Sequence, residues 1–109
     1  MFRAMQLAAA TALEAEADWY EGNNENYRNR RHLAGEIMKT LGCTYDEKQV
    51  GMFLWGKIPA SCKDVEELTE KVLHEARVFI TPGFIFGSNG ARYIRISLCC
   101  KDNKLAEAL

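Results

Sequence analysis

The chain has 109 residues, of which 48% are apolar and 27% are charged, and its 14 basic and 15 acidic side chains give a net charge of -1 at pH 7. A chain of this length forms one ordinary domain with a modest core and is small for a complete enzyme. The charge balance gives no electrostatic reason to expect nucleic acid or an anionic membrane as partner. No apolar stretch approaches the ~20 residues that a membrane span requires. We therefore expect neither a nucleic-acid partner nor membrane insertion.

The four cysteines do not form a metal-binding pattern. Cys43, Cys62, Cys99 and Cys100 include no Cys-x-x-Cys pair, and the two histidines have no ligand spacing to them. Cys99 and Cys100 would point to opposite faces if a strand continued through them, which disfavours a mutual disulfide. The sequence predicts no metal site and reduced, partly buried thiols in a cytoplasmic protein.

The first 42 residues predict two helices. Apolar side chains at helical spacing indicate an amphipathic helix over about residues 2–15. A second, longer apolar stripe predicts a helix that begins at an Asp18 N-cap and ends at Gly42. The glycine and asparagines of residues 22–26 are poor helix formers. Because the stripe continues through them, we predict one unbroken helix.

The remainder of the chain is typical of a small α/β unit. The elements predicted in chain order are a short strand at Cys43–Tyr45, a strand at Val50–Trp55, a helix from a Ser61 N-cap to about Arg77, strands at Val78–Thr81 and Arg92–Leu98, and a helix at Asn103–Leu109 capped by Asp102. This order predicts an α/β fold, an α+β sandwich in which a small three- to four-stranded sheet packs on helices behind a long N-terminal helical segment.

One arginine stands out in the last predicted strand. Alternation places Ile94, Ile96 and Leu98 on one face of that strand, and Tyr93, Arg95 and Ser97 on the other. An unpaired buried guanidinium is costly, so Arg95 must either reach solvent or pair with an anion. Its planar fork suits a carboxylate. The residues alone leave open a solvated edge strand or a carboxylate-binding arginine.

Several motifs near this arginine occur together in one known family. From residue 78 to residue 97 the chain reads VFITPGFIFGSNGARYIRIS, residues 49–55 read QVGMFLW, and residues 27–31 read YRNRR. The first segment resembles the closing segment of fold-type I, class I/II pyridoxal-phosphate aminotransferases, with Pro-Gly, Phe-Gly and aromatic-x-Arg-x-Ser in order. The second is similar to the family's Gly-x-Phe strand, and the third to a Tyr-x-x-Arg-Arg segment on its long interdomain helix. The likeness spans essentially the whole chain and is nearest to the aspartate aminotransferase-like members.

The resemblance implies roles for particular residues. Arg95 matches the arginine that binds the α-carboxylate of the amino-acid substrate. Phe53 matches a residue near the substrate side chain and the cofactor, and Gly51 matches the glycine that precedes it. Structural loop positions of the family correspond to Pro82, Gly83, Phe86 and Gly87. The expected substrate-binding residues are therefore Arg95 and Phe53.

The resemblance also implies what the chain is part of. Residues 1–109 would be a single domain, the C-terminal small domain of an aminotransferase, with interdomain helices at 1–42 and an α/β part at 43–109. The full-length parent would be a cytoplasmic, homodimeric enzyme of amino-acid metabolism. It would use pyridoxal phosphate to transfer an amino group between an aspartate-like amino acid and a 2-oxo acid.

The family's cofactor chemistry requires a lysine that forms a Schiff base, located on a large domain that precedes this region. None of the seven lysines of this chain lies in a matching motif. We therefore expect no catalytic residue and no bound cofactor here, and no activity without the missing large domain. The alternative is a free-standing, ferredoxin-like regulatory module that senses a small carboxylate through Arg95. The density of matching motifs favours the aminotransferase.

Overall fold

The computed structural model describes residues 2–109, which form four α-helices and one four-stranded antiparallel sheet. The helices are α1 (Arg3–Leu13), α2 (Ala17–Thr40), α3 (Val65–Ala76) and α4 (Asp102–Ala108). The strands are β1 (Thr44–Tyr45), β2 (Phe53–Lys57), β3 (Thr81–Pro82) and β4 (Tyr93–Ser97). This confirms the predicted α/β class. No helix of the described part of the chain is long and apolar enough to cross a membrane.

The sheet has the order β1-β2-β4-β3, so β4 lies between two neighbours. Arg95 pairs with Trp55 on one side and with Thr81 on the other. The alternation along β4 is as predicted, because Ile94 and Ile96 are buried against the helices while Arg95 lies on the opposite face. The sheet therefore holds the backbone of Arg95 from both sides.

The core lies between the sheet and helices α2, α3 and α4. Its fully buried large side chains are Met38, Leu54, Val65, Ile94 and Leu98. One polar clamp joins the residue before β4, Arg92, to the loop before α3. The guanidinium of Arg92 donates to the carbonyl oxygens of Pro59 (2.8 Å), Cys62 (2.9 Å) and Lys63 (2.9 Å).

Helix α2 runs unbroken through residues 22–26, as predicted. Its second half buries Ala34, Gly35, Ile37 and Met38, and this packing offsets the poor helix propensity of the earlier turns. After the end of α2, Gly42 adopts a positive φ of 74°.

The three predicted N-caps were wrong. Asp18 lies inside the first turn of α2, whose N-cap is Glu16. The cap of α3 is Asp64, not Ser61, and the Asp64 carboxylate accepts the backbone N–H of Glu67 at 2.7 Å. Asp102 is the first residue of α4. There its carboxylate accepts from a long-range partner, the Nε of Arg30 at 3.0 Å.

Two predicted strands are shifted or shortened. The strand predicted at Val50–Trp55 begins only at Phe53, and Val50 is 87% exposed. The strand predicted at Val78–Thr81 pairs with β4 only from Thr81 onward. The segment before it leaves the sheet, which opens a groove between that segment, β4 and α4.

Helix α1 extends away from the core. It buries no residue, and Phe2, Met5, Leu7 and Leu13 are each more than half exposed. The total accessible surface is 7901 Å², whereas a compact protein of this size exposes about 6,100 Å². An apolar stripe on the first helix therefore lacks a partner within the described chain.

Candidate functional site

Arg95 projects from β4, one of the two inner strands of the sheet, into a slot between two aromatic rings. Its guanidinium carbon lies 4.1 Å from the ring centre of Phe53 and 4.3 Å from that of Phe86. Contacts of this kind stabilise a cation by about 0.5–2 kcal/mol each, depending on desolvation. The rings therefore hold a charged guanidinium in place without using its N–H donors.

Those donors have no acceptor within residues 2–109: no carboxylate pairs with Arg95, and no carbonyl accepts from it. The side chain is half-buried. Two other long-range arginines differ in this respect, because Arg92 binds three carbonyls and Arg30 binds Asp102 and the Leu98 carbonyl. Arg95 is thus neither freely solvated nor neutralised, and its fork is available to an anion.

The surrounding rings support one another. Trp55 stacks on Tyr93 with centroids 5.2 Å apart and an interplanar angle of 13°. Phe86 meets Trp55 edge-on at 6.2 Å. Packed rings of this kind lose little rotamer freedom when a ligand binds, so the slot around Arg95 is pre-formed.

A tight loop brings Phe86 to the slot. The backbone of Gly83 passes so close to β4 that a Cβ atom there would lie 2.8 Å from the Tyr93 carbonyl oxygen and 2.9 Å from the Trp55 ring. Gly87, which follows Phe86, has a φ of 126°, a conformation that residues with a Cβ rarely adopt. The Pro-Gly and Phe-Gly pairs of the sequence therefore serve the shape of this loop.

The other ring, Phe53, is positioned by the segment before β2. The Gln49 side chain accepts the backbone N–H of Trp55 at 2.9 Å and donates to its carbonyl at 2.7 Å, as a neighbouring strand would. Arg31 donates to the Gly51 carbonyl at 2.7 Å. Sequence reasoning assigned no role to Gln49, and no local signal distinguishes it from a surface glutamine.

Two further exposed side-chain pairs lie on helices α2 and α3. Trp19 and Tyr20 are exposed and contact each other edge-on at 5.2 Å, and the Tyr20 hydroxyl donates to the Ala12 carbonyl at 2.6 Å. His74 is exposed on α3 beside Glu70. The described residues contain no group of three or more His, Cys, Asp or Glu side chains arranged to hold a metal ion.

The chain's residues do not by themselves fit pyridoxal phosphate. All seven lysines have exposed side chains, so no amine is held in an enclosed site.

One buried nucleophile, the Cys43 thiol, has its pKa raised to about 11, chiefly by burial and further by Cys62. The thiol is therefore protonated at neutral pH and is not a candidate for covalent chemistry.

The geometry shows an arginine with unpartnered donors between two rings on the sheet of a small α/β domain. The comparisons with known proteins assign this domain to a family. Residues 2–109 match the model of the family described as aminotransferase class I and II. The chain belongs to this family, as the resemblance implied.

Named relatives agree with this assignment. The chain is 35% identical over 109 residues to an LL-diaminopimelate aminotransferase of Desulforudis audaxviator and 32% identical over 108 residues to transaminase BacF of Bacillus subtilis. The apo structure of BacF superposes with a TM-score of 0.78 at 32% identity, over 99% of this chain and 28% of that one. An aromatic aminotransferase from Pyrococcus horikoshii gives 0.78 at 32% identity, over 94% of this chain and 28% of that one. The alignments with the two curated relatives cover 100% and 98% of this chain but only 28% and 27% of their own lengths.

Proposed function

We propose that residues 1–109 are the C-terminal small domain of a pyridoxal-phosphate-dependent aminotransferase, with interdomain helices at 1–42 and the α/β part at 43–109. The full-length enzyme transfers an amino group between an aspartate-like amino acid and a 2-oxo acid. It works as a cytoplasmic homodimer in amino-acid metabolism. The family match supports this function and does not favour the free-standing regulatory module.

The observation that carries the proposal is the unpartnered fork of Arg95 between Phe53 and Phe86. A carboxylate can accept two parallel N–H bonds from such a fork, which fixes the position and the orientation of the substrate. The flanking rings exclude water from both faces of the guanidinium, and this strengthens the interaction. Arg95 and Phe53 are therefore the proposed substrate-binding residues.

The chain's contribution to the reaction is orientation. A substrate held by its α-carboxylate has only rotation about one axis left, so its amino group can be presented in a fixed direction. Pyridoxal phosphate supplies the electron sink of the reaction, and we propose that it is held outside this chain. The unpartnered apolar face of α1 supports this arrangement, because it provides a surface against which a further domain can pack.

A domain exchange tests the proposal. The corresponding segment of BacF is replaced by this chain, and cofactor absorbance reports whether the hybrid has assembled. We expect Arg95→Met to lower kcat/KM for amino acids about 100-fold or more, because a buried charge pair loses one partner. Amines that lack the α-carboxylate should react at the same rate with the hybrid that carries Arg95 and with the hybrid that carries Arg95→Met. An equal loss for both substrate types would show that Arg95 does not bind the carboxylate.

A further inference from the structure

Strand β1 stops one residue short of covering the neighbouring strand β2 beside Trp55. The last pair between the two strands is Tyr45 with Gly56, so one further residue of β1 would place Asp46 opposite Trp55. The chain turns at this point instead. The backbone carbonyl of Asp46 accepts the backbone N–H of Gln49 at 3.2 Å, which closes a four-residue turn. The outer backbone groups of Trp55 are therefore not paired by β1.

The side chain of Gln49 takes the place of the missing strand residue. Its amide oxygen accepts the Trp55 N–H at 2.9 Å, and its amide nitrogen donates to the Trp55 carbonyl at 2.7 Å. A primary amide carries an acceptor and a donor side by side, so it can bind both backbone groups of one residue. Both bonds are partly buried, where an unpaired backbone group would be costly. The turn therefore delivers the side chain that completes the sheet edge.

These two bonds fix the orientation of Trp55 relative to Arg95. In an antiparallel pair, the N–H and C=O of one residue point to the same side of its strand. Trp55 directs both groups toward Gln49, so they are turned away from its cross-strand partner Arg95. Opposite residues of this kind approach each other most closely, and their side chains interact on one face of the sheet. The Trp55 and Arg95 side chains are therefore close neighbours.

The Trp55 side chain connects this sheet edge to the slot around the guanidinium. Its ring meets Phe86, one of the two flanking rings, edge-on at 6.2 Å. Phe53, the other flanking ring, is two residues before Trp55 in β2 and lies on the same face of the sheet. A shift of the Trp55 backbone would therefore displace both rings that hold the guanidinium.

We propose that Gln49 is a positioning residue for carboxylate binding by Arg95. Its two bonds hold Trp55 in place, and Trp55 in turn sets the spacing of the two rings that flank the guanidinium. Gln49 lies across β2 from Arg95, so it acts without touching the carboxylate. The inference rests on the proposed function of Arg95. Loss of Gln49 leaves the guanidinium in the chain but removes the support of its slot, so a carboxylate is held less firmly and in a less fixed direction.

An NMR comparison tests the positioning in the absence of any ligand. The Nε–H signal of Arg95 senses the ring currents of its two flanking rings, so it should lie apart from the signal of the exposed Arg77. We expect Gln49→Met to move the Arg95 signal toward that of Arg77. The Trp55 amide should also exchange faster with solvent, because its acceptor is gone. An Arg95 signal that stays in place in Gln49→Met would overturn the proposal.

Two further variants separate positioning from a general loss of stability. Asp64→Ala removes a hydrogen bond of 2.7 Å at the start of α3, so it should lower the urea midpoint without moving the Arg95 signal. Gln49→Glu keeps an acceptor for the Trp55 N–H and loses only the donor, so it should move the Arg95 signal in the same direction as Gln49→Met but less far. If Asp64→Ala moves the signal as far as Gln49→Met does, the positioning role is refuted.

The hybrid with BacF measures the consequence for the substrate. Gln49→Met should lower kcat/KM for amino acids about tenfold relative to kcat/KM for amines that lack the α-carboxylate, because the guanidinium remains but is misplaced. An unchanged ratio after Gln49→Met, together with a fall after Arg95→Met, would refute the role of Gln49 alone. An unchanged ratio after Arg95→Met would instead refute the proposed function on which this role rests.

Discussion

The two arginines of β4 and its preceding turn allow structural and ligand-binding roles to be separated. Arg92 and Arg95 are three residues apart and carry the same charge, but only Arg92 spends its donors on the fold. We predict that Arg92→Met strongly destabilises the chain and that Arg95→Met does not. Each variant is the control for the other, because side-chain type and charge change are identical.

The contacts set the expected magnitudes. A hydrogen bond from a charged donor contributes about 1.5–3 kcal/mol to stability. Arg92 makes three, but the loop carbonyls regain water when it is replaced, so we expect a loss of about 2–4 kcal/mol rather than the full sum. Arg95 loses two ring contacts of about 0.5–1 kcal/mol each, and removing a half-buried charge offsets part of this. We expect its loss to stay below about 1 kcal/mol.

Urea denaturation followed by circular dichroism measures both variants, and an unchanged m-value shows that the same cooperative unit unfolds. If Arg95→Met destabilises the chain as much as Arg92→Met, then Arg95 stabilises the fold in the way Arg92 does, and its N–H donors are not free to bind a ligand. If Arg92→Met is neutral, its three carbonyl bonds do not contribute to the fold.

Further predictions follow from the loop, the core and the first helix. Gly83→Ala should cost about 3 kcal/mol or prevent folding, because its methyl group would meet the Tyr93 carbonyl, and a thermal midpoint unchanged from the original chain would refute this close approach. The raised pKa of Cys43, about 11, means that the unfolded chain ionises first as pH rises above its ordinary value of 9.0. The contribution of the protonated Cys43 thiol to the unfolding free energy is therefore complete below pH 9.0 and is lost as the pH rises toward 11. Cys43→Ala should remove this fall from a plot of the urea midpoint against pH. Leu13→Ser should change the unfolding free energy by less than about 0.5 kcal/mol, since Leu13 is 82% exposed, and a larger loss would show that α1 packs on the core.

Much of the fold was predictable because its signals are periodic. The stripe through α2 identified a single helix despite residues 22–26, and alternation along β4 placed Arg95 opposite Ile94 and Ile96. The likeness of the loop motifs to one family singled out Phe53 and Phe86, and the structure brings both rings to the Arg95 guanidinium. Such features depend on the burial of one entire face of a helix or strand. The spacing of apolar residues in the sequence identifies that face.

The remainder depends on single long-range contacts. Ser61 and Asp64 are both good N-cap residues three positions apart, and only the packing of α3 selects Asp64. The start of β2 is set by pairing with β4 and by the Gln49 side chain, which replaces a strand partner for Trp55. The Arg92 clamp depends on the spatial proximity of β4 to the loop before α3, which no local pattern reports.

We propose that the Arg95 guanidinium binds a carboxylate. The most direct measurement is an NMR titration of the arginine Nε–H signals with succinate, and with its diamide as the uncharged control. We predict a saturable shift of the Arg95 signal with succinate alone, at a dissociation constant weaker than millimolar because the chain supplies one wall of the site. The signal of Arg92, whose terminal nitrogens already bind three carbonyls, should not move. An unmoved Arg95 signal, or equal shifts with the diamide, would contradict the claim.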